Sequence, residues 1–93
     1  MKAGYQVAVA LLMALTTGPV LAQTQEQLDG CYGKDSPPEK TINGCTAVIQ
    51  SGTKTGKDLA LAFAQRGYEL LRRGKFDSAI QDFGEAIRFD PIR

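Results

Sequence analysis

Histidine and tryptophan are absent from this sequence of 93 residues, and cysteine occurs only twice. Histidine is the most frequent general base near neutral pH and the commonest metal ligand, so its absence argues against an enzyme and against a zinc site. A charge excess is also missing, because 11 Lys and Arg face 10 Asp and Glu. Such a chain lacks the positive field that attracts nucleic acid. We expect no catalytic site, no metal, no cofactor and no nucleic-acid partner.

A hydrophobic run long enough to span a bilayer is missing as well. Lys2 lies near the start, residues 7–15 are apolar, and the segment ends in Val20-Leu21-Ala22. A membrane anchor, the alternative, needs roughly 20 apolar residues, whereas this pattern is typical of a secretory signal peptide. The sequence predicts a signal peptide at 1–22, a periplasmic or secreted location, and no stable membrane anchor after cleavage.

Both cysteines, Cys31 and Cys45, lie in the part that would be exported. An even cysteine count in an oxidising compartment indicates a disulfide. A catalytic redox pair and two free thiols are the alternatives, but the spacing differs from that of a thioredoxin-type motif. A disulfide that closes a loop of about 15 residues is worth roughly 3 kcal/mol in the chain-entropy model. That contribution matters in a chain with so small a core.

Residues 23–58 are predicted to form a cysteine-containing helical unit and a linker. The tetrapeptide at 36–39, Ser-Pro-Pro-Glu, has the pattern of a capping box with proline at the helix start. The helix should run to about Ser51, with Gly52 as its left-handed end. Apolar residues recur on it at helical spacing, at Ile42, Cys45, Val48 and Ile49. Cys45 should therefore face inward, toward Cys31 on a short helix or turn around residues 25–29.

Residues 59–93 are predicted to form an antiparallel helical hairpin. The first helix, at about 58–73, has one apolar stripe, which consists of Leu59, Phe63, Gly67, Leu70 and Leu71. The second helix, at about 77–90, has another, which consists of Phe76, Ala79, Ile80, Phe83, Ala86 and Ile87. Gly74 should end the first helix and Pro91 the second. Both stripes are expected to pack in a core.

Residues 60–91 resemble one tetratricopeptide repeat (TPR). The resemblance rests on packing positions, which are Phe63, Gly67, Leu70, Ala79, Phe83, Ala86 and Pro91. Arg66 departs from the usual apolar residue beside the glycine. With its leader and cysteine pair, the chain also resembles small exported bacterial TPR proteins. The resemblance implies an all-α fold of antiparallel helical hairpins in an α-α superhelix.

The segment with the cysteines is similar to the repeat in its apolar spacing. A shift of 38 residues places Ile42 on Ile80, Cys45 on Phe83, Val48 on Ala86 and Ile49 on Ile87. We expect the first hairpin to be a degenerate repeat, stapled by the disulfide, that caps the full repeat and stacks on it in parallel.

The TPR resemblance implies a non-catalytic scaffold that binds a protein or peptide on its first helix. The candidate binding residues are Leu61, Ala64, Gln65, Tyr68 and Arg72. We do not expect the carboxylate clamp of this family, because it needs lysine and asparagine at the positions that Ala64 and Tyr68 occupy. A solvated helix face is the alternative to a binding site.

The last helix is expected to be partly uncovered at Phe83, Ile87 and Phe89, because only Ile92 and Arg93 follow Pro91. Exposed apolar patches mark association sites, so a homo-oligomer through this helix is one expectation. A truncated or degenerate copy of a longer TPR protein, with no function of its own, is the alternative. Catalysis is disfavoured because the acidic residues of this helix should be solvated and lack a nucleophile nearby; they are Asp77, Asp82, Glu85 and Asp90.

Overall fold

A computed structural model describes residues 23–91 and shows an all-α fold. Its four helices are α1 (Gln25–Tyr32), α2 (Pro38–Ser51), α3 (Gly56–Arg72) and α4 (Phe76–Phe89). The all-α fold predicted from the sequence is confirmed. The predicted signal peptide at 1–22 lies outside the described residues. None of the four helices is long and apolar enough to cross a membrane.

The start of α2 differs from its prediction. Pro37 is the capping residue, and no side chain forms a hydrogen bond to the first turn. The Ser36 hydroxyl instead donates to the Asp29 carbonyl oxygen at 3.1 Å and ties the loop back to α1. The predicted capping box at 36–39 is therefore wrong, because Pro37 takes the N-cap position and the Ser36 hydroxyl contacts the preceding helix. The predicted end is confirmed, since Gly52 has a left-handed φ of 70°.

A capping box does occur at the start of α1, where none was predicted. The Gln27 amide donates to Thr24 Oγ1 at 3.1 Å, and the Thr24 amide donates to Gln27 Oε1 at 2.8 Å. These two bonds satisfy backbone groups that otherwise have no intrahelical partner. They help to define a helix of only 8 residues.

The helices pack in chain order. α1 packs on α2, α2 on α3, and α3 on α4, and α1 also contacts α3. Within residues 23–91, α2 is therefore covered by two helices, whereas α4 packs on α3 alone. The buried core lies where the first hairpin meets α3, and it consists of Cys31, Cys45, Val48 and Ala62.

The disulfide between Cys31 and Cys45 is present, as the cysteine count predicts. Both residues are fully buried, and their Cα atoms lie 4.5 Å apart. Gly44 permits this approach, because a Cβ there would collide with the backbone of Gln27 and Cys31. Disulfides of this kind form and persist in oxidising compartments.

The α3–α4 hairpin packs closely at the predicted glycine. A Cβ on Gly67 would lie 3.1 Å from Asp82 Cβ and 3.1 Å from the Phe83 ring. Ala79 is fully buried, and the rings of Phe63 and Phe89 stack with centroids 6.0 Å apart. Four of the other residues predicted to pack are half-buried, namely Phe63, Leu70, Phe83 and Ala86. Pro91, predicted as the helix stop, is exposed and follows the end of α4.

Asp82 is buried, not solvated as predicted, because Arg66 neutralises it. Arg66 Nε and Nη2 donate to the two carboxylate oxygens at 2.8 and 2.9 Å. Arg66 Nη1 also donates to Thr46 Oγ1 on α2 at 3.1 Å. The arginine that departs from the TPR pattern therefore connects three helices. Bidentate hydrogen bonds between a guanidinium and a carboxylate are among the stronger hydrogen bonds in proteins.

The expectation that both apolar stripes form core holds only in part. Leu71 of α3 and three residues of the α4 stripe, Phe76, Ile80 and Ile87, are exposed. Their exposure follows from the packing order, since within residues 23–91 no helix covers this side of the second hairpin.

Candidate protein-binding surface

One face of α3 carries the residues predicted to bind a partner. Leu61, Gln65, Tyr68 and Arg72 are spaced by four, three and four residues, and side chains at this spacing share one side of a helix. We call these four residues the α3 strip. α3 is held on the first hairpin from another side of the helix, where Arg66 donates to Thr46 and Ala62 is buried.

Three members of the α3 strip are accessible. Leu61 and Arg72 are exposed, and Tyr68 is 54% exposed. Gln65 is half-buried, and its Nε2 donates to the Cys31 carbonyl oxygen at 3.5 Å. Ala64, the other predicted binding residue, is also half-buried. Gln65 therefore holds α3 on the first hairpin, and the exposed chemistry of the strip comes from Leu61, Tyr68 and Arg72.

The aromatic ring and the guanidinium of the strip are held side by side. Arg72 Cζ lies 5.8 Å from the centroid of the Tyr68 ring. Arg72 Nη1 lies 3.5 Å from Glu69 Oε1. Cation–π and ion-pair contacts restrict both side chains, so less conformational entropy is lost when a partner binds them.

A polar cavity of about 180 Å³ opens beside Tyr68. Both hairpins contribute to its walls, which consist of Gly33, Lys34, Ser36, Thr41, Gln65, Tyr68 and Glu69. Glu69 Oε1 is buried and accepts no hydrogen bond from the described residues. The Arg72 guanidinium forms an ion pair with this oxygen, but the contact lacks hydrogen-bond geometry, so Oε1 still accepts no hydrogen bond from the described residues. Glu69, whose side chain is 12% exposed, gives the cavity wall a carboxylate, and a carboxylate favours a ligand group that donates hydrogen bonds.

A second cavity, of about 350 Å³, lies between α3 and α4 and is mainly apolar. Its lining comes from Lys57, Ala60, Leu61, Ala64, Ala86, Ile87 and Asp90. Leu61 thus lies at the border between this groove and the α3 strip. The small side chains of the three alanines leave the groove open between the two helices.

No family model, curated protein or solved structure matches the chain. What the surface can bind must therefore be judged from its own chemistry.

The acidic residues of α4 do not form a reactive cluster. Asp82 is occupied by Arg66, and Glu85 Oε1 accepts from Arg88 Nη2 at 2.7 Å. The described residues contain no group of three or more Cys, Asp or Glu that could hold a metal ion. The arrangement suits binding by shape, apolar contact and hydrogen bonds.

The sequence did not reveal how far the second hairpin is uncovered. Ile80 is 67% exposed and Ile87 is 55% exposed, together with Phe76 and Leu71. We call these four residues, with the groove floor at Ala60, Ala64 and Ala86, the end face. The 38-residue shift contained a signal for it, because a following helix covers the equivalent positions of α2, whereas no helix follows α4 within residues 23–91.

Proposed function

We propose that this chain is an exported, non-catalytic protein-interaction module of TPR type, which holds a segment of a partner polypeptide along the α3 strip. The observation that carries the proposal is Tyr68, a rigidly placed aromatic that is exposed beside a polar cavity. Tyrosine and arginine are enriched at the energetic centres of interfaces, since each combines a large contact area with hydrogen bonding.

Three features of the second hairpin support the TPR type. Gly67 lies in contact with α4 at a point where a side chain would clash. Ala79 is fully buried, and α4 ends immediately before Asp90 and Pro91. These are the close-contact, small-residue and proline positions of the repeat. The packing of the first hairpin against α3 supports a stack of two hairpins.

The cavity indicates the kind of segment that would fit. Glu69 supplies a carboxylate to the cavity wall, and Tyr68 supplies a ring at the rim. A donor group, such as a lysine ammonium or an arginine guanidinium, would satisfy the carboxylate and lie against the ring. We therefore propose a partner segment with a basic residue flanked by apolar residues, the latter contacting Leu61.

The disulfide supports an exported protein. Cys31 and Cys45 are fully buried in the core, so their bond is a structural part of the fold. Structural disulfides are rare where cytosolic reductants act. A periplasmic or secreted location fits both this bond and the predicted signal peptide.

Selection of peptides from a random displayed library on the oxidised protein tests this function. We expect the selected sequences to contain a basic residue next to apolar ones. Tyr68→Ala should lower the affinity for the best peptide by roughly 10- to 100-fold, as truncation of a residue at the energetic centre of an interface does. Arg72→Ala and Glu69→Gln should each lower this affinity by less.

Arg88→Ala is the matched control. Arg88 also lies over an aromatic ring, that of Phe89 at 4.5 Å, and also pairs with a glutamate three residues away. It lies off the α3 strip and should leave peptide affinity unchanged. The proposal is wrong if no peptide is selected, or if Tyr68→Ala and Arg88→Ala bind the best peptide equally well.

A further inference from the structure

The end face is an apolar surface of the second hairpin. All exposed large apolar side chains of residues 23–91 lie on α3 and α4, and they are Leu61, Tyr68, Leu71, Phe76, Ile80 and Ile87. On α4, Phe76, Ile80 and Ile87 are spaced by four and seven residues and so form one stripe. A contiguous patch of this kind marks an association surface.

The members of the end face lie on one side of the hairpin. The apolar groove joins Ala60 and Ala64 of α3 to Ala86 and Ile87 of α4. Leu71 follows Ala64 by seven residues, two helical turns on the same side of α3. The face thus contains both a hollow, where the three alanines lie, and projections, where leucine, phenylalanine and isoleucine side chains extend.

The structure itself shows what covers the equivalent face of the first hairpin. Val48 and Ile49, which correspond to Ala86 and Ile87, pack in the cluster that includes Ala62 of α3. Val48 is fully buried there. An apolar face of this type is therefore covered by another helical surface wherever the chain provides one.

We propose that a second copy of this chain covers the end face, with the two end faces packed against each other around a two-fold axis. A head-to-tail contact would press the end face on the first hairpin, whose outer cavities are lined by polar and charged residues such as Glu26, Asp29 and Lys40. That contact would bury charged groups against apolar side chains, which costs free energy because the charges lose water and gain no polar partner. Among the described residues, the exposed large apolar side chains lie on α3 and α4, so the end face is the apolar surface that a second copy offers.

Charge at the groove agrees with this pairing. Lys57 and Asp90 line the same groove and carry opposite charges. A copy rotated by 180° can place each of them opposite its counter-charge, and the reciprocal contact closes the assembly at two chains. The pairing goes beyond the proposed function because it concerns the end face, which adjoins the α3 strip at Leu61.

Analytical ultracentrifugation of the oxidised protein, produced from the full-length sequence and checked by intact mass, tests the pairing. We expect a concentration-dependent dimer and no larger species. Ile80→Glu should raise the dimer dissociation constant by at least about 100-fold, because each dimer would bury two unpaired carboxylates. Ile87→Glu should have the same effect. Gln50→Glu, which adds the same charge at an exposed position of α2 in the first hairpin, should leave the constant within about threefold.

Circular dichroism and titration of free thiols establish that each variant is folded with its disulfide intact. Ile80 and Ile87 are exposed, so their charged variants should fold; Ile80→Ser provides a milder second variant. A monomer at every concentration overturns the proposal. A dimer unaffected by folded Ile80 and Ile87 variants, or species that grow with concentration, also overturns it. Peptide binding by the α3 strip is measured separately, by the comparison of Tyr68→Ala with Arg88→Ala, so failure of one proposal can be told from failure of the other.

Discussion

The two hairpins carry apolar residues at equivalent positions but bury them to different extents. Val48 of α2 is fully buried, whereas its equivalent Ala86 lies at an open groove. Ile49 packs on the core, whereas its equivalent Ile87 is exposed. The cause is the order of packing, since α3 covers the first hairpin and no described helix covers the second. One apolar pattern therefore makes core in one hairpin and an exposed face in the other.

The hairpins are also held together by different means. α1 has only 8 residues, and helices shorter than about 12 residues are marginal on their own. The first hairpin uses the disulfide and the α1 capping box. The second has helices of 17 and 14 residues and uses the Arg66–Asp82 pair and close packing at Gly67. Loss of the disulfide and loss of the Arg66–Asp82 pair should therefore have separate effects on the stability of the two hairpins.

Removal of the disulfide should have the largest effect. The double variant Cys31→Ala/Cys45→Ala loses the loop constraint and should reduce the free energy of unfolding by roughly 3 kcal/mol or more. Urea denaturation followed by circular dichroism measures the loss. Hydrogen exchange should locate the earliest opening in α1, with α3 and α4 opening later. Equal loss of protection in all four helices would show that the hairpins are not held separately.

Arg66→Met should have the next largest effect. It leaves Asp82 buried without its partner and should cost roughly 3 kcal/mol of unfolding free energy. Adding Asp82→Leu should recover most of this loss, because the buried charge is then gone as well. Arg88→Met, which breaks the exposed Arg88–Glu85 pair, is the control and should cost less than about 0.5 kcal/mol. Similar losses for Arg66→Met and Arg88→Met would contradict the buried pair.

Tyr32→Phe should have the smallest effect, and the effect should depend on pH. The Tyr32 hydroxyl donates to the Asp58 carbonyl oxygen at 2.8 Å and links the first hairpin to α3. Loss of this bond should cost about 1 kcal/mol near neutral pH.

Burial, and then the nearby Asp58 carboxylate, raise the pKa of Tyr32 above its usual value. The unfolded chain therefore ionises first, near pH 10, and the stability that the neutral hydroxyl provides is lost as the pH rises above that value. The difference in unfolding free energy between the wild type and Tyr32→Phe should shrink between pH 9 and 11, as thermal denaturation at several pH values can measure. A constant or growing difference would contradict a raised pKa for Tyr32 in the folded protein.

Much of the fold follows from local signals in the sequence. Gly52, Gly74 and Pro91 end helices because of their own backbone properties, and the apolar spacing predicts α2, α3 and α4. The cysteine pair predicts the disulfide. The accessible part of the α3 strip follows from helical spacing alone, as Leu61, Tyr68 and Arg72 show.

The features that the sequence did not predict depend on contacts between distant residues. Asp82 looks solvated until Arg66, 16 residues earlier, is brought beside it. Ser36 looks like a helix cap until the Asp29 carbonyl is brought within reach. Gln65 looks exposed until α3 lies on the Cys31 carbonyl. Each correction needs the packing of one helix on another, which helical spacing does not specify.

The central claim is that equivalent apolar faces are covered in the first hairpin and open in the second. Hydroxyl-radical footprinting with mass spectrometry, at a concentration where the protein is monomeric, tests it most directly. We expect stronger labelling of Ile80 and Ile87 than of their equivalents Ile42 and Ile49. Equal labelling of the two pairs in the folded monomer would contradict it.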